Sequence, residues 1–343
     1  MGSVGGLIVT WEEDLEKFIE KKRLDQAPTL KLFGNQLMSL PESIGNLPDL
    51  IELDLHGNYL TSLPKSIGNL SSLTKLNLSN NQLISLPETI GNLSNLVELD
   101  LHGNKLDNIP ESIGNLSSLT KLNLSNNQLM SLPKSIGNLS SLVELDMFAN
   151  KFTHLPSCIE NLFALIELEI TSNQLASLPK WIGNMSNLTY LILNGNLIDD
   201  LSFLQPLTGL YDDSIEFLDV YLPRKYWIKF SDWKPEWLLE EQPVEIKRML
   251  IQQVGYEKIC QRLNAIEIDR CQEYTLLKIA DIERVYDEDT NEEVLESMVL
   301  LKRTCPSTGH IHILRVPSEM TSAEAAITWV NNGIHPDEFT VQT

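Results

Sequence analysis

The chain has 343 residues, a length that suits two domains, and 42% of them are hydrophobic, which fits a globular fold rather than a disordered or membrane one. Its formal charge is −21, and more than half of that excess falls in residues 27–223, which hold eight Lys and Arg against twenty Asp and Glu. Such a surface repels phosphate backbones and anionic lipid headgroups, so nucleic acid and membrane are disfavoured and a basic protein partner is favoured.

Thr10-Trp11-Glu12-Glu13 has the form of a capping box, with Thr10 as N-cap and Glu13 reaching back. Trp11, Leu15, Phe18 and Ile19 then share one face at helical spacing, which predicts a helix to about Arg23. We read residues 1–26 as a helical cap on the segment that begins at Ala27.

From Ala27 the pattern LxxLxLxxNxL returns eight times, with Asn at 35, 58, 81, 104, 127, 150, 173 and 196, a spacing of 23 at every step. A fixed period of this size marks a solenoid, in which each coil buries its apolar edge only against its neighbours. The LxL pairs, such as Leu76 and Leu78, are expected to point inward from a short strand while the residues between them face solvent. The repeated Asn can both donate to and accept from backbone groups where the chain turns off the strand, so an Asn ladder is expected to be structural. Pro follows each of the first seven Asn at +6, from Pro41 to Pro179, with Ile at +9 and, in all but one coil, Gly at +10. Pro implies an extended return path, Ile an inward side chain, and Gly a turn. With so few residues per coil the back must be short turns or 3₁₀ pieces. Glu160 takes the Gly position in one coil, beside Cys158, which predicts a local irregularity.

These residues resemble a leucine-rich repeat of the LxxLPxxIGNLxxL variety, as found in bacteria, in plant intracellular Ras-group proteins and in Ras-pathway scaffolds. The resemblance covers about 27–223. It implies an α/β solenoid, curved, with a parallel β-sheet on its concave face and a protein-binding role.

The repeat unit is a pair of coils, because residues 66–83 and 112–129 are identical over 18 positions. The outward-facing strand positions therefore alternate. One column reads Thr29, Glu52, Lys75, Glu98, Lys121, Glu144, Glu167, Tyr190, and the next Lys31, Asp54, Asn77, Asp100, Asn123, Asp146, Glu169, Ile192. A third reads Phe33, His56, Ser79, His102, Ser125, Phe148, Thr171, Asn194. Glu98 is expected between Lys75 and Lys121, partly neutralised. From the sixth coil the alternation breaks, leaving Glu144, Asp146, Glu167 and Glu169 with Phe148, then Tyr190 and Ile192. Together with Glu98, Asp100 and His102 these are the candidate partner-binding residues, suited to a partner with a basic and partly apolar patch. The Glu-Asp-His triplets repeat by duplication, so no metal site is assigned, and no cofactor is expected.

Ile215, Leu218 and Val220 are read as one more strand of the form IxxLxV, and 197–223 as a terminal irregular coil. At 224 the period ends and Trp227, Trp233 and Trp237 crowd together. Residues 224–343 are read as a small α+β domain. It would comprise an amphipathic segment over Glu236–Gln253, a short helix over Tyr256–Leu263 and strands at Tyr274–Ile279, Met298–Thr304 and His310–Val316. An acidic loop or hairpin end at Asp281–Glu296 and a helix opened by the capping box Thr321-Ser322-Ala323-Glu324 complete it. Three strands with helices on one face are expected. The segment is similar to a domain appended to leucine-rich repeats in bacterial, notably cyanobacterial-type, proteins, a similarity that implies no activity.

Cys305 with His310 and His312 is the strongest catalytic candidate, as a hairpin could bring thiol and imidazole together, but no orienting group accompanies them and no catalytic residue is assigned. Cys158, Cys260, Cys271 and Cys305 lack paired spacing, and no charged signal sequence or 18-residue apolar run is present, so a reducing, cytoplasmic compartment is expected. The expectation is a non-enzymatic interaction scaffold. The alternative makes residues 224–343 an enzyme or protein modifier whose substrate the repeat selects.

Overall fold

The computed structural model describes residues 12–207, 209, 215–217, 220–229, 232–234, 237, 261–287, 292–304, 311–317 and 319–330. The chain divides into two compact units, Met1–Lys229 and Phe230–Thr343.

The first unit opens with helix α1, Glu12–Leu24. Leu15 and Ile19 are buried and Phe18 half-buried, so the apolar stripe faces inward, against the first 3₁₀ turn at Glu42–Asn46. Thr10 and Trp11 lie outside the described residues. Eight three-residue strands follow: β1 (Thr29–Lys31), β2 (Glu52–Asp54), β3 (Lys75–Asn77), β4 (Glu98–Asp100), β5 (Lys121–Asn123), β6 (Glu144–Asp146), β7 (Glu167–Glu169) and β8 (Tyr190–Ile192). All pair in parallel, in chain order. Each has a buried leucine at its centre, so its two flanking residues face outward, as the two-residue period of a strand requires. The register has no stagger: Leu53 sits opposite Leu76, Leu76 opposite Leu99, and so on to Leu191. The outward-facing columns expected from the period are therefore columns of the sheet.

The return path is a 3₁₀ turn in each of the first seven coils, for example Glu88–Asn92 and Glu111–Asn115. Each begins after its proline, whose φ near −70° and extended ψ set the entry, and the proline carbonyl accepts the amide of the buried isoleucine three residues on. The glycine after that isoleucine lies in the turn, as expected, but without left-handed backbone. It serves close approach: a Cβ on Gly91 would lie 2.3 Å from the Ser112 carbonyl oxygen, and one on Gly114 2.4 Å from that of Ser135. At Glu160 the missing glycine has a visible consequence, because the turns Ser157–Asn161 and Lys180–Asn184 stand off from one another more than the earlier adjacent pairs do. The left-handed position is instead the residue before each ladder asparagine. It is Gly34, Gly57, Asn80, Gly103 and Asn126 in the first coils, then Ala149 and Ser172 (φ 51° and 55°), then Gly195.

The asparagine ladder holds these coils together as expected. Asn104 is buried; its Oδ1 accepts the Leu83 amide at 3.0 Å, and its Nδ2 donates to the carbonyls of Leu78 and Leu101, both at 3.0 Å. Asn127 repeats this with Leu106, Leu101 and Leu124, and Asn173 with Phe152, Met147 and Ile170. From Asn58 onward each asparagine thus joins two coils and satisfies at least three peptide groups that the strand cannot reach.

The terminal coil differs from the sequence reading. Ile215–Phe217 (β9) continues the parallel sheet, but Ile215 sits opposite Leu191, and Val220–Tyr221 (β10) turns back antiparallel on β9. The expected single strand is two, and Leu218 lies outside the described residues. An antiparallel return ends the row of strands. Beyond it Leu222, Tyr226 and Trp227 are buried, the Trp227 Nε1–H donates to the Leu222 carbonyl at 2.7 Å, and the Arg224 guanidinium lies over the Trp227 ring while bonding the Gln205 carbonyl. Residues 224–229, which composition alone assigns to the second segment, therefore belong to this unit.

The second unit contains a four-stranded antiparallel sheet in chain order: β11 (Ile266–Cys271), β12 (Tyr274–Asp287), β13 (Glu292–Thr304) and β14 (Ile311–Val316). β11 is an addition to the three expected strands. Its Ile266 and Ile268 are exposed, as befits an edge. Most of 281–296, expected as a loop or hairpin end, is paired strand, from Glu283 opposite Glu296 to Asp287 opposite Glu292. Helix α2 (Ala323–Val330) covers one face, packing Ala323, Ala326 and Ile327 on Leu276, Val299, Leu301 and Val316. Leu277, Ile279 and Leu300, on the opposite face, are buried too, so the sheet is not covered on one side alone. The α2 N-cap is Ser322 rather than Thr321, with its Oγ accepting the Ala325 amide, and Asp269 of β11 takes the Ala323 amide at 2.7 Å. Glu236 and Leu239–Gln253, Tyr256–Cys260, Cys305 and His310 lie outside the described residues. No helix among the described residues is long and apolar enough to cross a membrane.

Candidate functional site

The outward faces of β2 to β7 line an open trough of about 560 Å³, floored by the leucine row and walled by the side-chain columns. The candidate residues Glu98, Asp100, Glu144, Asp146, Glu167 and Glu169 all line it. Glu144, Glu167 and Tyr190 are consecutive across β6, β7 and β8, and so are Asp146, Glu169 and Ile192.

The first column is largely neutralised, from within and, at Glu52, by Lys31 of the second column. Lys31 pairs with Glu52 at 3.4 Å, Lys75 with Glu98 at 2.9 Å and Lys121 with Glu144 at 2.6 Å. Among the described residues Glu98 forms its ion pair with Lys75, since Lys121 turns to the opposite neighbour; the Lys121 bond to Glu144, helped by the charges of Glu98 and Glu167, raises the Lys121 pKa. Glu144 is therefore not one of four equivalent carboxylates, as the columns alone suggested. Exposed pairs of this kind contribute little to stability. They do settle which charges the trough shows.

The second column behaves differently. Asp54, Asp100 and Asp146 each use Oδ1 to accept the amide two residues on, at 2.9–3.2 Å, and Glu169 does the same with Oε1 to Thr171 at 2.7 Å. Burial pushes the Asp146 carboxyl above the usual aspartate range, opposed by the Phe148 amide. Between these acids, Asn77 and Asn123 turn their Oδ1 to the amide and hydroxyl of Ser79 and Ser125, so the amide oxygens are taken up within their own coils.

The two duplicated histidines have diverged in their contacts. His56 Nδ1 lies 2.7 Å from Asp54, and its ring stacks on Phe33 at 4.9 Å. The preceding neighbour of His102 is a serine, and its Nδ1 bonds Ser125 Oγ at 2.8 Å instead. Phe148 is half-buried and Tyr190 54% exposed. Sequence reasoning missed Phe163, 72% exposed just past the turn Ser157–Asn161, and Ile166, 40% exposed one step before Glu167; Ile166 gives its carbonyl to the Tyr190 amide. The available signal was Phe163 in a position that carries serine in the four coils before it, at 71, 94, 117 and 140. Of the proposed thiol–imidazole group only His312 is in a described strand, paired opposite Arg303.

A profile of the leucine-rich repeat region matches residues 67–151 and 110–217, and a second leucine-rich repeat profile matches 28–83. The chain is a leucine-rich repeat protein. A solved leucine-rich repeat protein of Leptospira interrogans is 35% identical over 58% of this chain, with a TM-score of 0.50, and the match spans 58% of that protein. An internalin of Listeria monocytogenes is 25% identical over 59% of this chain and 92% of its own, with a TM-score of 0.53. No curated protein sequence matches. These likenesses cover little more than half of this leucine-rich repeat protein.

Proposed function

We propose that this protein is a non-enzymatic recognition scaffold whose concave sheet binds a protein bearing a basic and partly apolar patch. Leucine-rich repeat folds generally mediate protein–protein interaction. The observation that carries the finer reading is the unstaggered register, which gathers Glu167, Glu169, Tyr190 and Ile192 into one area beside Asp146 and Phe148, with Ile166 at its margin. Carboxylates around aromatic and aliphatic side chains suit cationic partners with an apolar centre. The same reading places the protein in a bacterial, reducing cytoplasm, a compartment suited to four cysteines without paired spacing. The test is Glu167→Lys with Glu169→Lys in the full chain. Recovery of protein partners from the native host should fall at least tenfold with an unchanged thermal midpoint, and unchanged recovery would exclude this surface.

A further inference from the structure

Three features of the trough bear on its occupant. Its acid column is periodic by two coils: Asp54, Asp100 and Asp146 line it, with Asn77 and Asn123 between them. The neighbouring lysines are already engaged, Lys75 by Glu98 and Lys121 by Glu144, and Glu52 is paired with Lys31, so the net charge offered from β2 to β6 is that of the aspartates, with Glu167 and Glu169 beyond them on β7. Each asparagine has committed its oxygen to the Ser79 or Ser125 side, which leaves its amide N–H groups as the donors on the trough side.

Resting on the reading that the concave face binds a basic protein, we infer that the occupant is a polypeptide segment in polyproline II conformation, lying across the strands with Lys or Arg at every third residue. Parallel strands lie about 4.8 Å apart, so carboxylates two coils apart recur at about 9.6 Å, and slightly less for a ligand inside the concave curve. Three residues of polyproline II advance about 9.3 Å. Three residues of a flat β-strand advance about 10 Å but end on opposite faces, because strand side chains alternate. Two turns of an α-helix advance about 10.8 Å and drift by more than about 2 Å over the trough's two intervals. Polyproline II has no internal hydrogen bonds, and its free carbonyls would meet the Asn77 and Asn123 amides between successive cations. Cations would then meet Asp54, Asp100 and Asp146 in turn, and the segment would run on toward Phe148 and Tyr190.

The experiment uses the full chain and two capped, fluorescent peptides of equal length and composition, built from Lys, Pro and Gln. One carries lysine at every third residue, the other at every fourth. Anisotropy titration at low salt should show the first binding about tenfold tighter, and Asp100→Asn should erase that advantage while changing the second by less than about twofold. Equal affinities would overturn the spacing; if Glu167→Lys then weakened both peptides alike, the broader reading of a basic partner would stand. If neither peptide bound, both would fall.

Discussion

The coils that carry β2 to β5 and those that carry β6 to β8 share one ladder and differ in almost everything outside it. In the first set the left-handed position is Gly or Asn, the turns are joined through glycine, and the front columns alternate in charge. In the second, Ala149 and Ser172 hold left-handed backbone, Glu160 replaces the turn glycine, and the columns pass from acidic to aromatic and aliphatic. The leucine row and the asparagine contacts run unchanged through both. Core and surface are therefore separable in this fold. The buried set is constrained by neighbours on both sides, whereas a front residue answers only to its column.

If that separation holds, removing a rung should hurt equally in either region. Asn127→Ala and Asn173→Ala each strand one amide and two carbonyls, and each should cost about 3 kcal/mol or more in urea unfolding. A clearly smaller loss at Asn173 would show that the later coils have their own support. Next in size, Gly114→Ala should cost about 1–3 kcal/mol, since its Cβ would press on the Ser135 backbone. Glu160→Ala, where a side chain already separates the turns, should leave the midpoint nearly unchanged. Equal losses would refute the close-approach account of the glycines. Smaller still, Ala149→Gly should stabilise by up to about 1 kcal/mol, because an L-residue there holds φ 51°, while Asn126→Gly should do almost nothing.

The smallest effect concerns Asp146. Its folded-state pKa lies above the unfolded value because burial disfavours the charged form, so the native chain holds the proton more tightly. Its contribution to stability is full below the unfolded aspartate range and is lost as pH rises through the folded value. Asp146→Asn should therefore gain slightly on the natural chain at neutral pH and lose that gain in acid. A gain that grows toward low pH would reverse the assignment.

Much of the front surface is legible in the amino-acid order alone, because a strict 23-residue period with no register slip makes sequence columns into spatial ones. The alignment of Glu144, Glu167 and Tyr190 is of this kind. The choice of partner by each charge is not legible in this way: Lys121 has Glu98 on one side and Glu144 on the other, and only side-chain geometry assigns it. The same holds for His56 and His102, identical in local sequence and different in the residue one coil away.

By itself the sequence determined the solenoid, its strand faces, its asparagine rungs and its N-terminal helix, since these follow from periodicity and from the demand that every buried peptide group find a partner. Tertiary structure alone decided the purpose of the turn glycines, the antiparallel closure at Val220–Tyr221, the burial of Trp227 in the first unit and the addition of β11 to the second sheet. Each of these depends on how closely one segment approaches another that is remote in the chain or one coil away. Such distances are set by packing and leave no periodic trace.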